Sequence, residues 1–272
     1  MTTPQTEPRG EIVARDVPRV SRQRSLDHRA AEIAAWLDLT RTFGADDWPR
    51  RTVCTEWDVA DIVGHLIGQA EDVIQPWAFP LRQLRARRRY PDADWVDAHM
   101  MVQADEHRGT PADKLIALFD RRWSKATRAI LRMPRPVRSI SMTMDFVPDP
   151  EFRRMSLGYV HDVLLARDLW MHRDDVCQAL GRPFDAGPYV TELIDQVMLD
   201  VVVGGFWSGP PIVLELTGPG GGRYRLGDGS PVGTASTDAV GYMRTLSGRD
   251  DRPTVTGDPV AAEAVAKTRM PF

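Results

Sequence analysis

Apolar residues recur at helical spacing through the first two thirds of the chain. The clearest stripe lies between Trp57 and Ile74, where aliphatic side chains follow the i, i+3, i+4, i+7 rule of a helix with one buried face. Weaker patterns predict further helices over residues 25–42, 95–107, 110–133 and 151–180. Gly181, with Pro183 beyond it, ends the last of these. Four helices with core-facing stripes and modest connections are typical of a helix bundle.

Other segments interrupt the helical pattern. Thr55 stands three residues before Asp58 and resembles a capping box at the start of the Trp57 helix, with Asp in place of Glu. Residues 76–91 contain five arginines and are interpreted as a solvated loop. Residues 134–150 are predicted to be a connection with some strand-like alternation.

The composition changes after Phe184. One more apolar helix, over residues 189–203, leads into a glycine-rich region with short alternating segments. Residues 212–216 and 223–226 are predicted to form a β-hairpin. The remaining predicted elements are a capped helix, a strand and a helix, over residues 234–246, 254–256 and 259–267. This combination predicts a small α+β unit.

Together these patterns predict a mainly α fold, in which a four-helix bundle is followed by a small α+β domain. Residues 1–20 are polar, contain three prolines and are predicted to be a flexible N-terminal tail. The bundle is assigned to residues 21–184 and the α+β domain to residues 185–272.

The composition is that of an ordinary globular protein, with 42% hydrophobic and 27% charged residues. A net charge of −3 provides no overall field that would favour nucleic acid or an anionic membrane. No apolar run reaches the ~20 residues of a membrane span, and no secretion signal is recognisable. Two cysteines cannot form a disulfide framework. We therefore expect a cytoplasmic monomer or homodimer with neither nucleic acid nor membrane as a partner.

Three residues form a candidate metal site. Asp168 and His172 are separated by four positions, so both project from one face of the predicted 151–180 helix. His65 lies in the best-patterned helix and needs a polar partner or a metal if it points inward. If these two helices pack together, two imidazoles and one carboxylate converge and leave open positions on an ion, as in catalytic sites. The alternative is a helix-surface Asp–His pair and a hydrogen-bonded core histidine.

The chain resembles the DinB-like, mycothiol-dependent maleylpyruvate isomerase family in two segments. One runs from Cys54 to Leu66 and contains CTEWDV followed by GHL. The other runs from Arg167 to Pro183 and contains RDLWMHRDDV followed by ALGRP. The resemblance covers residues 25–183 well, and the C-terminal region resembles the family's sterol-carrier-like domain more loosely.

The resemblance implies a four-helix bundle that holds a divalent metal, usually zinc, through two histidines and a carboxylate. Carried over to this sequence, the ligands are His65, Asp168 and His172. The departure is Asp168, where the isomerases have glutamate, so that isomerase activity itself becomes a question. The implied cosubstrate is mycothiol or another low-molecular-weight thiol, and the implied partner is a small electrophilic molecule. A thiol on the ion would lose its proton and attack the electrophile.

Several other residues have two interpretations. Arg223 and Arg225 alternate on a predicted strand and are candidate ligands for a substrate carboxylate. Asp61 precedes His65 by four positions and either supports it or simply occupies the acidic first turn of a helix. Asp174 and Asp175 either orient a ligand or are solvated, and we expect the latter. Cys54 and Cys177 are expected to be packing residues.

Two other functions use the same features. Two histidines and a carboxylate also suit iron(II), which makes a non-haem iron enzyme an alternative, although those enzymes commonly take these ligands from a β-scaffold and not from helices. Alternatively, the chain is a non-enzymatic carrier of a small molecule or lipid, in which the bundle is only structural.

Overall fold

The computed structural model describes residues 10–250 and 253–271, and the chain divides into two units. The helical unit contains residues 22–139 and 164–185, and the sheet unit contains the described residues of 1–21, 140–163 and 186–272. The helical unit ends at residue 185. Residues 140–163 and the N-terminal segment, by contrast, belong with the C-terminal elements instead of forming part of the bundle or a separate tail.

The helices in chain order are α1 (Arg22–Thr40), α2 (Val59–Ile74), α3 (Phe79–Arg89), α4 (Trp95–Asp105), α5 (Ala112–Arg132), α6 (Arg135–Arg138), α7 (Leu157–Tyr159), α8 (Leu165–Leu180), α9 (Val190–Val203), α10 (Ala239–Leu246) and α11 (Pro259–Lys267). The strands are β1 (Ile12–Val13), β2 (Ser141–Thr143), β3 (Arg154–Ser156), β4 (Ile212–Thr217), β5 (Gly222–Leu226), β6 (Thr234–Asp238) and β7 (Thr256–Gly257).

The helical unit is built around four helices. α2 packs against α5 and α8, while α1 packs against the same two helices. Trp36, Phe119 and Trp123 fill the space between them and are almost completely buried. The indole Nε1 of Trp36 donates a hydrogen bond to the Leu169 carbonyl at 2.9 Å, which ties α1 to α8. The predicted mainly α fold with a helix bundle is confirmed.

The start of α2 lies three residues later than the predicted capping box. Asp58 is the N-cap, and its side chain accepts a hydrogen bond from the Asp61 amide at 2.8 Å. The Asp61 side chain in turn accepts one from the Asp58 amide at 3.3 Å. Both orphan amide groups of the first turn are thereby satisfied. The prediction of a capping box at Thr55 and Asp58 was therefore wrong. The position of Asp61 early in the helix is explained by its part in this cap.

Residues 79–89 form helix α3, and the prediction of a solvated arginine loop was wrong. Arg82 is 5% exposed, and its guanidinium lies 2.6 Å from a Glu106 carboxylate oxygen. It also contacts Glu71 and Asp72 of α2. Opposite charges from α2 and α4 compensate the buried cation, which a sequence pattern based on hydrophobicity alone does not reveal.

The predicted helix over residues 151–180 begins later and is not uniform. Residues 154–156 are strand β3, which pairs antiparallel with β2. Helical structure starts with α7, continues through a π-helical stretch over Val160–Leu164 and becomes regular in α8. The π-helical turn shifts the helical phase between the start of this segment and α8.

The sheet unit contains a five-stranded sheet with the order β1-β5-β4-β6-β7. β4 and β5 pair antiparallel, which confirms the predicted hairpin. β1 pairs parallel with β5 through Ile12 opposite Tyr224. Residues 12–13 are therefore part of the sheet, and the flexible-tail prediction was wrong for them, while residues 1–9 lie outside the described residues.

Residues 234–238 form strand β6 instead of the first turn of a helix. Their side chains alternate between partly exposed and buried, with Ala235 and Thr237 inside. β6 pairs parallel with β4. Asp238 then caps α10 by accepting a hydrogen bond from the Gly241 amide at 2.7 Å. The last helix, α11, has the bounds that the sequence predicted.

Within the described residues, no helix combines the length and the apolar character needed to cross a membrane.

Replacing Glu32 of α1 should destabilise the helical unit strongly. Arg173 of α8 donates two hydrogen bonds to this carboxylate, at 2.9 and 3.1 Å, and both side chains are buried. Glu32→Ala leaves a buried arginine without its counter-charge, so we expect a loss of roughly 3–5 kcal/mol in the free energy of unfolding, measured with urea.

Asp38→Ala is the matched control, because Asp38 lies on the same helix and its ion pair with Arg41 is exposed. We expect a change of about 0–1 kcal/mol for this variant. Equal effects of the two substitutions would contradict the assigned importance of the buried pair.

Candidate metal centre

α2 and α8 bring His65, Asp168 and His172 together. One ligand atom from each residue lies within 4.8 Å of the other two, and all three side chains are buried. His65 faces inward because it follows the apolar stripe of α2. Asp168 and His172 lie one turn apart on α8, as their spacing predicted.

The Asp168 carboxylate stands between the two imidazoles. Its Oδ2 lies 3.2 Å from Nε2 of His65, and its Oδ1 lies 3.5 Å from Nε2 of His172. Each oxygen thus faces a different ring. This arrangement presents two nitrogen donors and a carboxylate to a common point.

Asp175 fixes the orientation of the His172 ring. Its Oδ2 lies 3.0 Å from Nδ1 of His172, whereas the other ring nitrogen, Nε2, faces Asp168. A carboxylate at this position accepts a hydrogen bond from Nδ1–H, which leaves the lone pair of Nε2 free for a ligand. Asp175 is fully buried, so the expectation that it is solvated was wrong, as it was for its neighbour Asp174.

Cys54 adds a thiol behind His172. Its Sγ lies 3.6 Å from the same Asp175 oxygen, and Cys54, His172 and Asp175 form a second group with donor atoms within 4.8 Å. The side chain is only partly buried. Cys54 therefore belongs to the surroundings of the site, beyond the packing role expected for it, whereas Cys177 is buried as expected.

Trp57 covers the two imidazoles. Its ring centroid lies 4.9 Å from that of His65 and 5.8 Å from that of His172. The indole is 7% exposed and directly precedes the N-cap of α2. The start of α2 therefore places an aromatic wall over the donor atoms, which limits rotation of both rings and access of water.

The close approach of α4 to α2 places Gln103 near His65. A Cβ atom on Gly68 would lie 2.5 Å from Cβ of Gln103, so only glycine allows this packing. Burial lowers the pKa of His65, and the nearby Gln103 side chain opposes this only in part. Asp61, in contrast, caps its own helix and forms an ion pair with Arg108 at 2.8 Å. Its carboxylate therefore does not support His65.

Gln69 lies within the donor cluster, one turn after His65 on α2. Its Nε2 is 2.7 Å from Oδ2 of Asp168 and 3.2 Å from Nε2 of His65. Sequence reasoning missed this residue, although its position four residues after His65 puts it on the same helical face. The same spacing rule applied three residues after His172 would have indicated Asp175.

The protonation states of His65, Asp168 and His172 depend strongly on one another. Burial by itself would lower the pKa of His172, but Asp168 and the hydrogen bond to Asp175 outweigh it and raise that pKa to about 10. Burial opposes ionisation of Asp168, yet the two histidines and Gln69 hold its pKa well below the usual range. Burial lowers the pKa of His65. In the absence of a metal, therefore, a protonated His172 and an ionised Asp168 compensate each other.

The donor set fits a divalent transition metal. Neutral imidazole nitrogens and a carboxylate oxygen are donors for zinc, iron and nickel. Nδ1 of His65 is buried without a hydrogen-bond partner of good geometry, and the same is true of Oε1 of Gln69. These unpartnered atoms indicate that the hydrogen bonds of the cluster alone do not satisfy its polar groups.

Arg223 and Arg225 lie on β5 in the sheet unit. Nε of Arg225 is 3.0 Å from Glu11, and Nε of Arg223 is 3.3 Å from the other oxygen of the same carboxylate. Arg223 also contacts Glu215. Acidic residues of the same unit therefore compensate both arginines, which weakens the case for them as ligands of a substrate carboxylate.

Comparisons with known proteins find a matching family model and similar solved structures. Residues 29–177 match the family model described as the mycothiol maleylpyruvate isomerase N-terminal domain. A crystal structure of the mycothiol-dependent maleylpyruvate isomerase is similar, with 15% identity and a TM-score of 0.55 over 91% of this chain and 96% of that chain. A crystal structure of a histidine-to-alanine mutant of mycothiol-dependent maleylpyruvate isomerase gives 14% identity, a TM-score of 0.55, and coverage of 90% and 95%. No curated protein sequence matches the chain significantly. The two structures show a shared fold.

Asp168→Asn should change the titration of His172 in the metal-free protein. Without the carboxylate, burial dominates, so we expect the pKa of His172 to fall from about 10 toward its ordinary value of 6.5 or below. Imidazole resonances followed by NMR over pH report this shift. In the unsubstituted protein, His172 contributes stability that is complete below pH 6.5 and is lost as the pH rises through about 10, and the variant should lack this loss.

Asp38→Asn on the exposed face of α1 is the control and should leave the His172 titration unchanged. An unchanged titration in Asp168→Asn would contradict the assigned coupling.

Proposed function

Since the chain belongs to the mycothiol maleylpyruvate isomerase N-terminal domain family, we propose that it is a metal-dependent enzyme that activates a low-molecular-weight thiol. The activated thiol either promotes isomerisation of a small electrophilic substrate or is transferred to that substrate. Mycothiol is the thiol that the matched family and both similar crystal structures point to. The metal ligands in this proposal are His65, Asp168 and His172.

The observation that carries the proposal is the convergence of these three side chains from two helices. Sequence spacing alone placed Asp168 and His172 on one face, but it did not require His65 to meet them. The 3.2 Å separation of His65 Nε2 and Asp168 Oδ2 is that of neighbouring ligands on one ion. A helix-surface Asp–His pair would lie in solvent, whereas this group is buried.

His65, Asp168 and His172 would hold a divalent ion whose Lewis acidity would lower the pKa of a bound thiol. The surrounding residues prepare the site for it. Asp175 holds the proton at Nδ1 of His172 and so presents Nε2. Trp57 restricts both rings and excludes water from one side of the donor atoms. Burial then strengthens the electrostatic interactions of the site.

The shorter carboxylate is compatible with direct binding. Asp168 has one methylene less than the glutamate of the isomerases, yet one of its oxygens lies 3.2 Å from the His65 ring and the other lies 3.5 Å from the His172 ring. α8 packs against α2, so the shorter side chain still reaches His65. We therefore propose Asp168 as a direct ligand and an unsaturated dicarboxylic or keto acid of the maleylpyruvate type as the first substrate class to test.

Metal content should depend on the two histidines. We expect about one divalent ion per chain in the purified protein, zinc first among the candidates, and its loss in His65→Ala and in His172→Ala, measured by elemental analysis. His172 carries a proton in the metal-free site at neutral pH, so binding should also release that proton, measurable by calorimetry in buffers of different ionisation enthalpy.

His99→Asn provides a matched control, because His99 is a buried histidine of α4 whose partners are Asp72 and Gln83. It should retain the metal. Full metal content in both His65→Ala and His172→Ala would refute the site. Copurified lipid without any metal, even after reconstitution, would favour the carrier function instead.

Thiol-dependent turnover should require the same site. With mycothiol and maleylpyruvate, we expect isomerisation, which is measured as a change in ultraviolet absorbance. Asp168→Ala should reduce kcat/KM by about 100-fold or more, since a metal ion supplies several kcal/mol of charge stabilisation. Asp38→Ala serves as the surface control. Metal-loaded protein without activity on any thiol and electrophile pair would refute the enzymatic part of the proposal while leaving the metal site intact.

A further inference from the structure

The Gln69 carboxamide occupies a position among the proposed ligand atoms. Its terminal nitrogen lies 2.7 Å from Oδ2 of Asp168 and 3.2 Å from Nε2 of His65, while these two atoms are themselves 3.2 Å apart. The three atoms therefore form a nearly regular triangle. No other carboxamide makes these contacts among the described residues.

The dimensions of this triangle match those of adjacent ligands on one metal ion. Metal–nitrogen and metal–oxygen bonds of about 2.0–2.2 Å place neighbouring ligand atoms roughly 3.0–3.5 Å apart. The separations around Gln69 are close to that range. A hydrogen-bonding residue that only supported His65 from outside would contact the ring nitrogen that points away from the cluster, whereas Gln69 contacts Nε2.

The other half of the carboxamide is unsatisfied. Oε1 of Gln69 is buried and has no hydrogen-bond partner, although the side-chain nitrogen is well placed on Asp168. A buried carbonyl oxygen without a donor is costly, so the orientation observed is only half compensated. Rotation of the amide by about 180° exchanges the two terminal atoms and brings Oε1 into the triangle. Without a cation that orientation places two oxygens in contact, but with a cation it is favourable.

We propose that Gln69 is a fourth protein ligand of the metal, which binds through Oε1. This inference rests on the proposed function, because it requires a metal between α2 and α8. In the metal-free site, Nε2 of Gln69 donates to Asp168 and offsets its charge. In the loaded site, the amide has turned and Oε1 completes a set of two nitrogens and two oxygens. Such a set of four protein ligands suits ions that accept oxygen donors as well as nitrogen donors.

The test compares three variants of the full-length protein loaded with Co²⁺ or Zn²⁺. Gln69→Leu removes both amide atoms and should weaken binding of each ion by about tenfold or more, measured by competition with a chelator. It should also change the visible absorption spectrum of the Co²⁺ protein, since the number of ligands changes. Gln69→Glu keeps an oxygen at the same position and should bind at least as tightly as the unsubstituted protein.

Gln178→Leu is the matched control, because Gln178 is an exposed glutamine of α8. It should leave both affinity and spectrum unchanged. Unchanged affinity and spectrum in Gln69→Leu would overturn the role of Gln69 while leaving the three-ligand site in place. Failure of the unsubstituted protein to bind either ion would overturn the proposed function and this inference together. If Gln69→Leu does not fold, a crystal structure of the unsubstituted Zn²⁺ protein decides: Oε1 of Gln69 at about 2.0–2.2 Å from the ion supports the proposal, and an ion held only by His65, Asp168, His172 and water overturns it.

Discussion

A carboxylate buried inside a helix bundle must be compensated, and the arrangement of the helical unit around Asp168 follows from that constraint. Asp168 is 8% exposed and remains ionised because two imidazoles and a carboxamide face it. The compensating groups come from both α2 and α8, so the two helices cannot shift against each other without exposing the charge. Trp57 and Asp175 then hold the rings that face Asp168. The site is therefore as much a structural requirement of the bundle as a place for chemistry.

The same constraint recurs elsewhere in the helical unit. Arg82 is surrounded by carboxylates of α2 and α4, and Arg173 forms a two-fold hydrogen-bonded pair with Glu32. Buried charges of this kind rarely add net stability compared with apolar residues of similar volume, but each penalises any alternative packing of its helices. A bundle with this many internal charges gains a defined register between its helices, and a metal site depends on register at the level of a few tenths of an ångström.

The sequence predicted what depends on local periodicity and spacing. The apolar stripe of α2, the bounds of α11 and the shared face of Asp168 and His172 follow from rules that need only neighbouring residues. Helix α3 was missed because its buried face consists of Arg82 and Ala86, which no hydrophobic pattern reveals. Strand β6 was missed because its pairing with β4 decides its conformation. The meeting of His65 with α8 depends on packing between distant segments, and the spacing rules could only state it as a condition.

The pairing of β1 with β5 has a consequence for how the chain folds. Ile12 lies opposite Tyr224, so a strand near the N-terminus pairs with a strand more than two hundred residues later in the sequence. Contacts of such long range slow folding, since the entropy of closing the loop is lost before the contact forms. During synthesis, the bundle segments leave the ribosome well before β5 does. The N-terminal strand is therefore among the last elements that can reach its native place, and until then its unpaired backbone remains open to incorrect partners.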